Sequence, residues 1–196
     1  MASPDAAAVP ERGSVGPSPA QARVITAALD LFARHGVGAT SLGMIATELG
    51  VTKAAVYRQY KSRDEIVLAA AETELARLEA VVAAAELEPS REQARDRLLE
   101  GMVDLCVGGR RRVSTILSDP VVDGFFVEHD QFRDVMRRLR RIMVGEGAGP
   151  EGRVTSAMVI AATSGAVTHP FVQGLDDEVL RAQLLSLARR FLGLPT

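Results

Sequence analysis

The sequence predicts an all-α protein: an N-terminal three-helix, helix-turn-helix unit followed by a C-terminal helical bundle. Three observations lead there. Apolar residues recur at helical spacing in segment after segment, no stretch alternates with period two for long, and capping residues and glycines punctuate the chain at helix-length intervals.

The first 17 residues, MASPDAAAVPERGSVGP, contain three prolines and two glycines without a large aliphatic pattern, and read as a disordered tail. At Ser18-Pro19-Ala20-Gln21 a helix begins. Ser18 can cap it, Pro19 suits its first position, and Gln21 completes a capping box. Val24, Ile25, Ala28, Leu31 and Phe32 then follow the spacing of one buried stripe, and Arg34-His35-Gly36 closes the helix with cations at its negative end.

Thr40 or Ser41 can cap a second helix reaching Leu49, with Leu42, Ile45, Ala46 and Leu49 inward and Gly50 as its stop. Thr52 caps a third, from Lys53 to Tyr60. Two short helices joined by a three-residue glycine turn form a helix-turn-helix pattern, with small Ala46 where they cross. Ser62-Arg63-Asp64-Glu65 is another capping box, opening a long helix to Ala85 that can link two domains. Pro89-Ser90-Arg91 starts a helix running through Leu98, Met102 and Leu105 to Gly108-Gly109. A short helix over Arg110 to Ser118, a turn at Asp119-Pro120, and helices over Phe125 to Val144, Pro150 to Thr168 and Asp176 to Leu192 complete the reading. The expected domains are 18–64 for the helix-turn-helix unit and 65–196 for the bundle.

With 196 residues the chain can bury a core unaided. Its single cysteine, Cys106, permits no internal disulfide and suits a reducing compartment, so a cytoplasmic location is expected. Neither a signal peptide nor a membrane span is visible. Net charge is −2, yet residues 18–68 carry six basic against four acidic groups, whereas residues 69–196 carry sixteen against nineteen. Phosphate binding depends on local charge, so the basic surplus directs attention to the N-terminal unit.

Both lysines of the chain, Lys53 and Lys61, fall in GVTKAAVYRQYKSRDEI, residues 50–66; the other twenty-one basic residues are arginines. On a helical wheel Lys53, Ala54, Tyr57, Arg58 and Lys61 share one side and Val56 and Tyr60 the other. Ser41 and Thr52, beside helix N-termini, offer hydroxyls and backbone N–H groups to phosphate oxygens. Ala54 and Ala55 allow the helix backbone to come close to a groove.

From Val24 to Val67 the sequence resembles the DNA-binding domain of the tetracycline-repressor (TetR) family. The matching residues are Thr40-Ser41 at the start of the second helix, Ile45-Ala46 within it, and Leu49-Gly50-Val51-Thr52 in the turn. Val56-Tyr57-Arg58-Gln59-Tyr60 is similar to the family's Leu-Tyr-x-His-Phe, and Ser62-Arg63-Asp64-Glu65-Ile66 to its Ser-Lys-Glu-x-Leu. The chain departs from the family at Gly43, where a polar or basic DNA-contacting residue is common, and in having Gln59 for His, Tyr60 for Phe and Arg63 for Lys. The resemblance implies phosphate contacts from Ser41, Thr52, Tyr57, Lys61 and Arg63, with Lys53, Ala54, Ala55 and Gln59 nearest the bases.

A recognition helix of about two turns reads few base pairs, so specificity calls for two copies spaced by the DNA repeat. The resemblance places dimerisation in the last two helices. Ala157, Ala161, Ala162, Ser164, Gly165 and Ala166 are small enough for close contact there, and Leu180, Leu184, Leu187, Ala188 and Phe191 form an apolar stripe. It also implies a small-molecule effector held among the middle helices, which moves the long fourth helix. Met102, Cys106, Phe125, Phe126, His129, Met136 and Met158 are the candidate lining residues, although ordinary core packing explains each of them too.

Arg133, Arg137, Arg138, Arg140 and Arg141 read either as a pocket for an acidic ligand or as a solvated face with Asp134 and Arg138 at salt-bridge spacing. Neither a cofactor motif nor metal-ligand spacing of His35, His129 and His169 is present. The expected function is a ligand-responsive transcriptional regulator, most often a repressor in this family, that binds a palindromic double-stranded operator as a homodimer. The alternatives are a small-molecule-binding helical module with weak or lost DNA binding, toward which Gly43 points, and an enzyme using Cys106 and His129.

Overall fold

The computed structural model describes residues 16–110 and 129–195. The tail up to residue 15, the expected helix at 110–118 beyond Arg110, the turn at Asp119-Pro120, and the pocket candidates Phe125 and Phe126 lie outside the described residues. Those described form eight α-helices and one 3-10 turn, with no strand among them. The helices are α1 (Pro19–His35), α2 (Leu42–Leu49), α3 (Lys53–Gln59), α4 (Arg63–Glu86), α5 (Arg91–Gly108), α6 (Asp130–Val144), α7 (Pro150–Ala166) and α8 (Asp177–Leu192). The 3-10 turn, Pro170–Val172, lies between α7 and α8.

The caps explain the boundaries. Ser18 Oγ accepts the Gln21 N–H at 3.3 Å while Gln21 Oε1 accepts the Ser18 N–H at 3.0 Å, a complete capping box. At α4 the reciprocal bond shifts by one residue. Ser62 Oγ accepts the Glu65 N–H at 3.1 Å, but the Glu65 carboxylate takes the Lys61 N–H at 2.8 Å. The sixth helix begins at Asp130, not Phe125, because His129 has the extended backbone of a cap. The seventh ends at Ala166, two residues before Thr168, and Pro170 then imposes the 3-10 turn.

Two groups of buried side chains follow the chain. The first takes Val24, Ile25, Ala28, Leu31 and Phe32 from α1, Ile45 and Ala46 from α2, Val56 and Tyr60 at α3, and Ile66, Val67, Ala70 and Ala71 from α4. The second runs from Leu75 and Val82 of α4 through Leu98, Met102 and Val103 of α5 and Leu139 and Met143 of α6 to Leu180 and Leu185 of α8. Helix α4, roughly 36 Å long at 1.5 Å per residue, serves both. It packs closest on α5, where a Cβ at Gly101 would overlap the Val81 side chain.

Ion pairs strengthen the second group at its rim. Arg138 reaches Glu86 at 2.7 Å and Glu79 at 3.4 Å, and Arg141 reaches Glu86 at 3.0 Å, joining α6 to α4. Hydrogen bonding from Arg138 holds the Glu86 carboxyl below the usual carboxylate range, against the opposing effect of burial. Arg189 joins α8 to α5 through Asp96 at 2.6 Å and Glu100 at 3.0 Å, and Arg181 pairs with Asp104. Four of the five arginines of α6 are therefore engaged with carboxylates: besides Arg138 and Arg141, Arg133 pairs with Asp130, and Arg137 with Asp134 at 2.9 Å.

Candidate nucleic-acid interface

Helices α2 and α3 are too short to persist in water by themselves, so packing must hold them. Ile45 and Ala46 anchor α2 against α1, and Gly50, in the left-handed region at φ 65°, turns the chain. Its neighbour Val51 donates to Ala46 O at 2.9 Å, which closes the end of α2. In α3 Val56 is the buried residue, 1% exposed, and Tyr60 follows it into the same apolar group.

That anchoring fixes the outward face. Lys53, Ala54, Tyr57 and Arg58 are exposed, Ala55 and Gln59 half-buried. Tyr57 remains 50% exposed despite its size. Lys61 Nζ donates to Tyr57 O at 3.2 Å and stands 4.8 Å from the centre of the Tyr57 ring. A hydrogen bond and a cation–π contact thus hold the ammonium at the end of α3 while leaving it open to solvent.

Ser41 and Thr52 occupy N-cap positions. Ser41 Oγ accepts the Met44 N–H and Thr52 Oγ1 the Ala55 N–H, each at 3.2 Å. Both caps use the hydroxyl oxygen as acceptor, so its hydrogen stays available for an anionic oxygen. Each sits on an exposed residue beside the positive end of a helix. At Gly43, an added Cβ would meet Ser41 Oγ at 3.6 Å, an ordinary contact, so the backbone of α2 has room for a side chain there.

Arg63 differs from the other candidates. Its guanidinium turns onto the loop between α1 and α2, where Nη1 donates to Gly38 O at 3.3 Å and Val37 O at 3.5 Å. Nη2 pairs with Asp64 at 3.2 Å. Ser41, Thr52, Lys53, Ala54, Tyr57 and Lys61 are therefore all exposed, Ala55 and Gln59 are half-buried, and Arg63 is engaged with the loop between α1 and α2. Arg58, which sequence reasoning put on this side of the wheel without assigning it a contact, is also exposed.

Of the described pocket candidates, three share one apolar group and one is exposed. Met102 belongs to the second buried group, and Cys106 and Met136 pack against it. Burial pushes the Cys106 thiol up to about 11. His129 stands at the N-cap of α6, and Met158 is 51% exposed on α7. An open recess of about 500 Å³ lies elsewhere, lined by Glu86, Arg91, Arg138, Arg141 and Ile142 among others.

Helices α7 and α8 present outward apolar residues. On α7 these are Val154, Ala157, Met158, Ala161 and Gly165, at i, i+3, i+4, i+7 and i+11; on α8 Leu187 and Phe191 are each more than half exposed. Leu180, expected in the same stripe, is instead buried within the chain, and Leu184 and Ala188 are partly so. The apolar arc of α8 is wider than one contact, so its inner edge faces α5 and α7 while its outer edge stays open. Val154 escaped sequence reasoning, although its spacing to Met158 and Ala161 carried the signal. Phe171 of the 3-10 turn, 91% exposed, has no periodic pattern to reveal it.

Residues 24–70 match the family model described as bacterial regulatory proteins, tetR family. Over 50 residues the chain is 40% identical to a Bacillus subtilis (strain 168) protein named as an uncharacterized HTH-type transcriptional regulator, YerO. That match covers 26% of this chain and spans 17% of the relative's length. Among solved structures, a regulatory protein of the tetR family from Rhodococcus RHA1 superposes with a TM-score of 0.73 at 20% identity, covering 91% of this chain and 100% of that one. The fatty acid degradation regulator FadR from Bacillus halodurans gives 0.71 at 16% identity, covering 90% and 96%. The ketosteroid regulator KstR2 of Mycobacterium tuberculosis gives 0.68 at 16%, covering 91% and 97%. At these identities the superpositions establish the fold.

Proposed function

We propose that this chain, which carries the TetR-family N-terminal domain on the all-helical fold of TetR-family regulators, is a DNA-binding transcriptional regulator. In this reading residues 18–64 read DNA, and residues 65–196 bind an effector and dimerise. One observation carries it: Lys53 and Tyr57 stand exposed on a helix whose opposite side is buried, with exposed Lys61 just past its end and a hydroxyl cap, Thr52, at its start. A half-exposed tyrosine hydroxyl and a lysine ammonium held beside it are groups suited to bonding phosphate oxygens. Ser41, Thr52, Tyr57 and Lys61 then position the backbone, and Lys53, Ala54, Ala55 and Gln59 meet base edges.

The open apolar faces of α7 and α8 support a homodimer, which presents two α3 helices to a palindromic operator. Binding of a small-molecule effector in the bundle favours a conformation with a different separation of the reading helices, and the operator is released. Repression relieved by the effector is the simplest outcome of that cycle. The absence from the described residues of any helix long and apolar enough to cross a membrane is compatible with this reading.

The test is retention of double-stranded DNA from the region upstream of the chain's own gene, titrated with salt. Affinity should fall steeply as salt rises, and Lys61→Ala should weaken all duplexes alike and flatten the log–log slope by about 0.9. Gln59 substitutions should instead change which duplex is preferred. Absent or salt-independent binding overturns the reading.

A further inference from the structure

We infer that Arg63 is a positioning residue, tying the start of α4 to the loop that delivers Ser41, and that it is not a phosphate contact. The inference rests on the DNA-binding reading above and concerns how that surface is held. Three features carry it. First, the charge of Arg63 is already compensated: Asp64 lies 3.2 Å from Nη2, and two carbonyl oxygens accept from Nη1. A phosphate would have to compete with these partners for a guanidinium only 36% exposed, whereas Lys61 offers an exposed ammonium held by one carbonyl and one ring.

Second, the carbonyls are not arbitrary. Val37 O also accepts the Thr40 N–H at 3.2 Å, and Thr40 Oγ1 donates to Gly36 O at 2.9 Å. Arg63 thus grips the turn from Gly36 to Thr40 that ends in Ser41, the N-cap of α2. Third, Val37 and Thr40 are both buried, so the turn has one packed side and cannot adjust freely when its hydrogen bonds change. A displacement of α4 would reach Ser41 through this guanidinium as well as through the core. Only a planar group with several fixed donors can span Gly38 O, Val37 O and Asp64 together, so lysine is no substitute.

The experiment uses the full chain and a duplex selected by the wild-type protein from a random library. Arg63→Ala should lower affinity roughly tenfold, the scale of a lost hydrogen-bonded charge, with the salt slope unchanged. Arg63→Lys should restore little of it. Ser41→Ala should cost less in the Arg63→Ala background than in the wild type, because Arg63 acts through Ser41. A slope reduced by about 0.9, restored by lysine, with the two substitutions additive, would mark a direct phosphate contact and overturn the inference.

Amide exchange in the DNA-free protein provides a separate readout. Arg63→Ala should accelerate exchange of the Thr40 N–H while the amides around Phe32 and Ile66 stay protected. Unchanged Thr40 exchange overturns the positioning role whatever happens with DNA. If the wild type selects no duplex, the DNA-binding reading falls, and the exchange measurement still decides whether Arg63 holds the turn.

Discussion

Val56→Ala tests whether the reading helix depends on one side chain. Val56 is the buried residue of the seven in α3, and it belongs with Ile45, Ala46 and Tyr60 to the first apolar group. Removing two methyl groups forfeits about 1.6 kcal/mol of transfer free energy at about 0.8 kcal/mol each. The cavity they leave adds roughly 1 kcal/mol if the neighbours relax only in part. Alanine returns about 0.5 kcal/mol through its better helix propensity, leaving a net loss near 2 kcal/mol. Urea unfolding followed by hydrogen exchange should show that loss at the amides of residues 55–60, with a smaller change among Leu98, Leu139 and Leu185. DNA affinity should fall in parallel, since a frayed α3 cannot present Lys53 and Tyr57 together. Unchanged exchange in α3 would refute the claim that Val56 holds it.

Other outcomes follow from features away from α3. The Glu86 carboxyl titrates lower when folded than when unfolded, so its contribution is present above about pH 4.5 and is lost as pH falls through the depressed value. Glu86→Gln should therefore narrow the difference in melting temperature between pH 7 and pH 3, and an unaltered difference would mean that the Arg138 pair contributes nothing. The Cys106 thiol, pushed up to about 11 by burial, should resist a disulfide reagent at pH 7.5 and react promptly in denaturant. Rapid labelling of the folded chain would contradict its burial. Leu187→Glu combined with Phe191→Glu should halve the mass measured by light scattering while circular dichroism stays helical, and an unchanged dimer mass would place the dimer contact elsewhere.

What could be read from sequence was local. The α1 stripe of Val24, Ile25, Ala28, Leu31 and Phe32 is buried throughout, because five apolar residues at helical spacing leave one orientation that satisfies them. The Ser18 capping box formed with both bonds, since its partners lie three residues apart on the same turn. At α4 the same motif was legible only in part: the Glu65 carboxylate reaches past Ser62 to Lys61, a choice that depends on how the chain enters from α3.

Long-range geometry left no trace in spacing. Arg63 meets carbonyls 25 and 26 residues away, so its turn onto the α1–α2 loop had no sequence signal, and reading it as an outward cation followed from its place in the motif. Leu180 and Leu187 occupy nearly the same angle on α8, yet one is buried and the other exposed. Which end of a helix its neighbours cover is set by where they cross it, and periodicity is silent on that. Met158 looked like core material for the same reason, being apolar at a helical interval from Val154 and Ala162.

The sparse burial of α3 has a consequence for how such a chain can change over generations. Selection for a folded protein constrains Val56 and Tyr60 closely, but Lys53, Ala54, Tyr57 and Arg58 contact little of their own molecule. In the proposed reading, substitutions at Lys53 and Ala54 should alter which DNA is preferred at almost no cost in folding free energy. Duplicated copies can therefore diverge in target while inheriting an intact scaffold, and the open room beside Gly43 offers a second place for such divergence to begin.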